Sequence, residues 1–187
     1  ERYYNFLAMN LIRAFGPQTW RDHWWKIAQS QLRNFGFNTV GNWSHWSLAR
    51  AAKFPYVRPL QIEFPNTPKV FRDFPDVFHP QFASDVAAAA EQLRETAHDP
   101  ALIGYFLMNE PTWGFAEETP GVGMIYNAAA DSETRKALAE FLRKRHGNDA
   151  GLATAWGLNI TYISIAFNEF KAPLNEVARQ DLEAFSS

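Results

Sequence analysis

Three short apolar segments separated by helical stretches most constrain the fold of this chain. They are FNTVGNW (residues 37–43), PYVRPLQIEF (55–64) and LIGYFLMN (102–109). Apolar residues at helical spacing predict helices between them, over SHWSLARAAKF (44–54) and QFASDVAAAAEQLRETAHD (81–99). Strand, helix, strand, helix, strand is the order of a parallel sheet covered by helices. The sequence therefore predicts an α/β fold with its chemistry at the carboxyl ends of the strands.

Further elements are predicted on both sides of this region. The same periodicity and the capping residues predict helices over YYNFLAMNLIRAFG (3–16), 17–36, Ser132–His146, Asn148–Trp156 and Leu174–Phe185. ITYISIAF (160–167) alternates as a strand does, but an irregular stretch is favoured. A proline-rich loop is predicted from Pro65 to Pro80, and a flexible active-site loop at Gly121–Gly123.

Composition and missing motifs exclude several classes of protein. A net charge of -2 argues against a general nucleic-acid binder, and the absence of cysteine excludes disulfides and thiolate metal sites. No run approaches the roughly 20 apolar residues that span a bilayer. The five histidines are scattered, with no HxxxH or carboxylate cluster at ligand spacing, and no phosphate-binding loop or GxSxG elbow occurs. We therefore expect no metal, no cofactor, no nucleic-acid partner and no membrane partner.

An amide and an acid follow the third apolar segment. Residues Gly104–Met108 predict a buried strand that runs directly into Asn109 and Glu110, with Trp113 close behind. A glutamate in partly apolar surroundings has a raised pKa, which suits a general acid near neutral pH. An adjacent asparagine can exchange hydrogen bonds with a sugar hydroxyl. An ion pair between Glu110 and an arginine such as Arg58 is the structural alternative, and spacing alone leaves both open.

Polar and aromatic residues also follow the first two apolar segments. Asn42 and Trp43 end the first, and Glu63 lies near the end of the second. Aromatic rings stack on the apolar faces of sugars, and 16% of the residues are aromatic. We therefore favour Trp43 and Trp113 as sugar platforms. The helical period instead favours packing roles for Trp20, Trp24 and Trp156.

Four stretches resemble the β-agarases of glycoside hydrolase family 50, within the retaining clan A of (β/α)8 glycoside hydrolases. They are YYNFLAMNLIRAFG, FGFNTVGNWS, FRDFPDVFHPQF and LIGYFLMNEPTWGF, in the same order and with similar gaps. The resemblance implies a single domain over residues 1–187, a partial TIM barrel of about three to four βα units. It implies Glu110 as general acid/base, with Asn109 beside it on the sugar and Asn42 and Trp43 lining the same cleft. The implied substrate is a β-linked galactose-type polysaccharide.

A complete barrel has about 250 residues, so this chain looks like roughly the first half of one. The resemblance places the nucleophilic carboxylate on the seventh strand, which we expect beyond residue 187. Glu63 and His79 are expected to contact substrate. The alternative is a carbohydrate-binding or structural half-barrel without turnover. An open sheet edge on a half-barrel would favour self-association. The expected location of the protein is secreted or periplasmic.

Overall fold

The computed structural model describes residues 4–187, which belong to two compact units. Unit 1 consists of residues 4–60 and Thr96–Leu107, and unit 2 consists of Gln61–Glu95 and Met108–Ser187. Tyr3, where the first predicted helix begins, lies outside the described residues. None of the helices in this part of the chain is both long and apolar enough to cross a membrane.

The described residues form a mixed α/β structure, which confirms the fold class at that level. The helices are α1 (Phe6–Phe15), α2 (Trp20–Asn34), α3 (Trp46–Ala51), α4 (Pro80–Ala90), α5 (Pro120–Asn127), α6 (Glu133–His146), α7 (Asp149–Trp156), α8 (Tyr162–Phe167) and α9 (Glu176–Ser186). The strands are β1 (Tyr56–Pro59), β2 (Lys69–Phe71), β3 (Phe74–Pro75) and β4 (Leu102–Phe106). Short 3₁₀ helices cover Glu91–Glu95 and Thr112–Phe115. The partial (β/α)8 barrel stays a prediction.

Local capping signals explain why most predicted helices are found close to their expected bounds. The helix predicted over 81–99 is too long, because α4 ends at Ala90 and a 3₁₀ helix follows it to Glu95. The side chain of Asn5 accepts a hydrogen bond from the Ala8 N–H at 2.9 Å at the start of α1. Asn148 does the same for Gly151 at the start of α7, also at 2.9 Å. Gly16, with φ of +81°, ends α1 in a conformation that other residues adopt only at a cost.

Unit 1 contains a short parallel sheet. β1 pairs with β4, with Tyr56 opposite Leu102, and Val40 adds one isolated parallel bridge to Tyr56. The predicted parallel pairing is confirmed, but the segment 37–43 supplies a single bridge instead of a strand. The predicted strand over 55–64 is also too long, because β1 spans only Tyr56–Pro59 and the Leu60 N–H makes the last bond to β4, at the Phe106 carbonyl.

The core of unit 1 is small and aromatic. Val40, Ala49, Phe54 and Tyr56 are buried, and Trp25, Leu32 and Trp46 pack against them. Trp25 packs against this core, whereas Trp20 and Trp24 are half-buried and lie outside it.

The prediction of a buried strand over Gly104–Met108 is wrong in two respects. β4 ends at Phe106 and is only partly buried, and Leu107 and Met108 are 59% and 47% exposed. Within residues 4–187, β4 has a hydrogen-bonded neighbour on one edge alone, which is β1. Self-association through this edge stays a prediction.

Unit 2 has its main core among α5–α9. Its buried members are Val122, Ile125, Leu138, Ala139, Leu142, Leu152, Trp156, Ile160, Tyr162, Ile165, Ala166, Phe170, Leu174, Ala178 and Leu182. Trp156 is 1% exposed, so its predicted packing role is confirmed. The segment Pro65–Pro80 is not wholly loop, because β2 and β3 form an antiparallel hairpin with Phe71 opposite Phe74.

The predicted flexible loop at Gly121–Gly123 is wrong. Both glycines are buried inside α5. A Cβ on Gly121 would overlap the carbonyl oxygen of Leu182, and one on Gly123 would lie 2.5 Å from the Phe71 ring. The glycines therefore allow α5 to pack directly against α9 and the hairpin.

Most of the segment 160–167 is helical, because α8 covers Tyr162–Phe167, so the favoured irregular stretch is wrong as well. Thr161 and Ser164 form a reciprocal capping box at the start of α8. Tyr162 and Ile165 are buried in the core of unit 2. Tertiary packing therefore decides between the conformations that the alternating pattern leaves open.

Candidate active site

A cavity of about 610 Å³ in unit 2 brings several predicted site residues together. Asn109 and Trp113 line it with Glu63, although Glu63 lies beyond the end of β1 and not at a strand exit. Further lining side chains are Phe64, Lys69 and Asp73. The cavity therefore combines aromatic rings with carboxylate, amide and ammonium groups, which is the chemistry of a sugar-binding site.

Glu110 has an unusual backbone and a free carboxylate. Its φ is +43°, in the left-handed region that a non-glycine residue adopts at a cost of order 1 kcal/mol or more. The residue is exposed, whereas the sequence predicted partly apolar surroundings for it. Within residues 4–187 its carboxylate has neither an ion pair nor a hydrogen bond. Its neighbours Asn109 and Pro111 both line the cavity, but the Glu110 side chain does not.

The structural alternative, an ion pair with an arginine such as Arg58, is therefore not observed among the described residues. Arg58 is buried in unit 1, where it donates to the Thr96 hydroxyl at 3.0 Å and lies 4.5 Å from the Trp46 ring centroid.

Trp113 is held in place by the hairpin β2–β3. Its ring meets Phe74 edge-on, with the ring centroids 5.4 Å apart. The backbone N–H of Trp113 donates to an oxygen of Asp73 at 3.1 Å. Half-buried and facing the cavity, the indole has a fixed place at the wall of the site.

A buried carboxylate organises the loop that contributes Thr67 to the cavity. Asp85 accepts hydrogen bonds from the Asn66 N–H at 3.0 Å, the Asn66 side-chain amide at 2.8 Å and the Thr67 hydroxyl at 2.7 Å. Burial alone would raise the pKa of Asp85, but these hydrogen bonds together lower it below its usual value. Sequence reasoning missed both residues: Asp85 belongs to no motif, and Asp73 lies in the stretch FRDFPDVFHPQF but was not singled out there.

His79 has a structural role in unit 2. It is the N-cap residue of α4, and its Nδ1 accepts from the Gln81 N–H at 3.3 Å. It does not line the cavity, and its predicted sugar contact stays a prediction.

Asn42 and Trp43 belong to unit 1. Trp43 is 77% exposed with φ of +67°, and its ring contacts Phe106 at 6.3 Å between centroids. Both polar atoms of the Asn42 amide are buried and lack a hydrogen-bond partner among the residues described. Leaving such a group unpaired costs about 1–3 kcal/mol, which a ligand hydroxyl would offset. Their role in sugar binding stays a prediction. No cluster of three or more potential metal-ligating side chains was found within residues 4–187.

Comparisons with solved structures show an agarase fold. The chain superposes on an exo-β-agarase with a TM-score of 0.83 at 22% identity, covering 97% of this chain and 27% of that one. It matches the agarase AgWH50C with a TM-score of 0.82, and PfGH50B with 0.83, each at 22% identity over 97% of this chain and 28% of theirs.

Sequence comparison leads to the same class of protein. The chain is 26% identical over 176 residues to β-agarase B of Vibrio sp. (strain JT0107), covering 84% of this chain and 18% of that protein. β-Agarase A of the same strain is also 26% identical over 176 residues, covering 82% and 17%. No family model matches. The chain is thus homologous to the β-agarases of glycoside hydrolase family 50, as the resemblance indicated, and spans less than a fifth of its curated relatives.

Proposed function

We propose that this chain supplies the general acid/base half of a retaining glycoside hydrolase site for β-linked galactose-type polysaccharide. The observation that carries the proposal is the free carboxylate of Glu110. The structure holds it in a strained backbone conformation, between two residues that line a cavity containing Glu63 and Trp113. Homology to β-agarases supports the substrate class.

In this proposal Glu110 acts twice. It first protonates the leaving glycosidic oxygen while a second carboxylate attacks the anomeric carbon and forms a glycosyl-enzyme. It then takes a proton from the water that hydrolyses this intermediate. The two carboxyl groups of a retaining pair lie about 5–5.5 Å apart, and we assign the second one to a segment outside these 187 residues.

Neighbouring residues have binding roles in this scheme. Asn109, next to the acid, hydrogen-bonds a sugar hydroxyl, and the indole of Trp113 stacks on the apolar face of a sugar ring. Glu63 and Lys69, which line the same cavity, contact further hydroxyls.

A second candidate is carbohydrate binding without turnover. It is favoured by one observation: the Glu110 side chain does not line the cavity, whereas Glu63 does. Substituting each acid in turn distinguishes a catalytic site from carbohydrate binding without turnover. Glu63→Gln weakens oligosaccharide binding in either case, but Glu110→Gln abolishes hydrolysis only if the chain contributes to a catalytic site.

The test measures binding and turnover separately. Binding of an agarose-derived hexasaccharide to the 187-residue chain is measured by calorimetry, for the wild type and for Glu110→Gln. Turnover is measured in a chimera in which this chain replaces the homologous segment of β-agarase B. We expect Glu110→Gln to lower kcat by about 10²–10⁴ while binding changes little, because Gln keeps the shape but cannot deliver a proton.

Glu117→Gln is the matched control, since Glu117 is another exposed glutamate seven positions further along the same segment. It should leave both binding and turnover unchanged. Equal effects of the two substitutions on kcat would contradict the acid/base role. Binding by a chimera that has no turnover of its own would favour the second candidate.

A further inference from the structure

Asp73 lies in the tight turn between β2 and β3 and holds the segment that follows Glu110. Its carboxylate accepts hydrogen bonds from the Thr112 N–H at 2.9 Å, the Thr112 hydroxyl at 2.7 Å and the Trp113 N–H at 3.1 Å. Three donors on two consecutive residues thus converge on one side chain.

These donors need an acceptor because they begin a helix. The 3₁₀ helix Thr112–Phe115 starts after Pro111, whose side chain cannot cap it. The first N–H groups of a helix have no partner within it, and a carboxylate is a favourable acceptor there. Asp73 therefore serves as the cap of this helix from a different part of the chain.

The same turn holds the helix at two further points. The Arg72 guanidinium donates to the Thr112 carbonyl at 3.0 Å, and Arg72 itself has φ of +53°. Phe74 meets the Trp113 ring edge-on. Three consecutive hairpin residues therefore fix Thr112 and Trp113 by a carboxylate, a guanidinium and an aromatic ring.

We propose that Asp73 is a positioning residue of the sugar site, which fixes the Trp113 ring and the backbone that presents Glu110. The link to Glu110 is short, because only Pro111, with its restricted φ, separates it from Thr112. Asp73 also lines the cavity with Asn109 and Trp113. This inference rests on the proposed function and adds to it the element that holds the site in shape.

The protonation state of Asp73 agrees with this role. Burial alone would raise its pKa, but the hydrogen bonds from the Thr112 hydroxyl and the two backbone amides together lower it below its usual value. The carboxylate is therefore ionised, and accepts from all three donors, at neutral pH.

The hairpin also offers a matched control. Asp76 is a buried carboxylate that accepts from the Thr134 N–H at 3.3 Å, the Thr134 hydroxyl at 2.8 Å and the Phe78 N–H at 3.2 Å. It performs the same chemistry at the start of α6, but it neither contacts Thr112 or Trp113 nor lines the cavity. Its loss should destabilise unit 2 without disturbing the site.

The experiment compares Asp73→Ala, Asp73→Asn and Asp76→Ala in the 187-residue chain. Three quantities are measured: hydrogen exchange of the Thr112 and Trp113 amides by NMR, the Kd for the agarose-derived hexasaccharide, and the urea midpoint of unfolding. We expect Asp73→Ala to speed exchange of both amides and to raise Kd, each about tenfold or more, since each amide loses its acceptor. Asp73→Asn, which keeps one acceptor oxygen, should recover part of both effects.

Asp76→Ala should lower the urea midpoint at least as much as Asp73→Ala does, while its Kd stays within about twofold of the wild-type value. Equal increases in Kd for the two alanine variants would overturn the inference, because the effect would then be one of general stability. Unchanged exchange of Thr112 and Trp113 in Asp73→Ala would overturn it too. If the wild type binds no hexasaccharide, the proposed function fails, and the exchange measurement still decides whether Asp73 holds the helix.

Discussion

Replacing Asp181 by asparagine should destabilise unit 2 without changing the candidate active site. The Asp181 side chain is 2% exposed and accepts from His146 Nε2 at 2.6 Å, Arg145 Nε at 2.7 Å and Trp156 Nε1 at 2.8 Å. It joins α9 to α6 and α7 in this way. Asparagine has the same shape, but it carries no charge, and its NH₂ group would face one of the three donors.

The magnitude follows from these contacts. Breaking a buried ion pair by removing one partner typically costs about 3–5 kcal/mol. The Arg145 side chain is 49% exposed and can hydrogen-bond to water instead, which lowers the cost. The indole N–H of Trp156 is buried and would lose its acceptor. We therefore expect Asp181→Asn to lower the free energy of unfolding by about 2–3 kcal/mol.

Urea unfolding followed by circular dichroism and tryptophan fluorescence measures this change, with m compared between variants to check that the unfolding transition is the same. Glu183→Gln is the control, because Glu183 lies on the same helix but is exposed. It should change the free energy by less than about 0.5 kcal/mol. A loss in Asp181→Asn no larger than in this control would refute the reasoning.

Three further predictions concern packing, pH and catalysis. Gly121→Ala should lower the free energy of unfolding by about 1–3 kcal/mol, measured in urea, because a Cβ there overlaps the Leu182 carbonyl. Asp73 and Asp85 both have lowered pKa values, so their ionised carboxylates stabilise the fold above the usual pKa of 3.8, and this stabilisation is lost as the pH falls through their folded-state pKa values. The free energy of unfolding, measured between about pH 5 and 2, should therefore decrease as the pH falls. A free energy that does not change with pH in this range would contradict the prediction. With an aryl glycoside, whose leaving group needs no protonation, Glu110→Gln in the chimera should lower the rate of the first chemical step much less than it does with agarose. A burst of released phenol would show this.

The positions of the helices were largely predictable because helix signals are local. Ser132 and Asn148 cap α6 and α7, and each acts on a backbone amide three residues away. The parallel pairing of β1 with β4 was predictable from the order of the segments. The lengths of the strands were not, because they depend on which residues find partners across the sheet.

The candidate site was predictable in its residue types but not in its environment. Asn109, Trp113 and Glu63 could be singled out as sugar-contact residues, and the structure brings them to one cavity. The exposure of Glu110 and its positive φ could not be foreseen. Partly apolar surroundings were inferred for Glu110 from its apolar and aromatic neighbours in sequence. Exposure depends on what covers a segment, and hydropathy along the chain does not contain that information.

The sequence by itself determined the α/β class, most of the helix positions and the family resemblance, because periodicity, caps and motifs act over a few neighbouring residues. Only the tertiary structure decided the contacts that hold the site. Asp73 and Thr112 are 39 positions apart, and their hydrogen bonds exist because the hairpin folds onto the 3₁₀ helix. Gly121 and Gly123 suggest a flexible loop when read locally, yet they are buried in α5, because only residues without a Cβ fit beside Leu182 and Phe71.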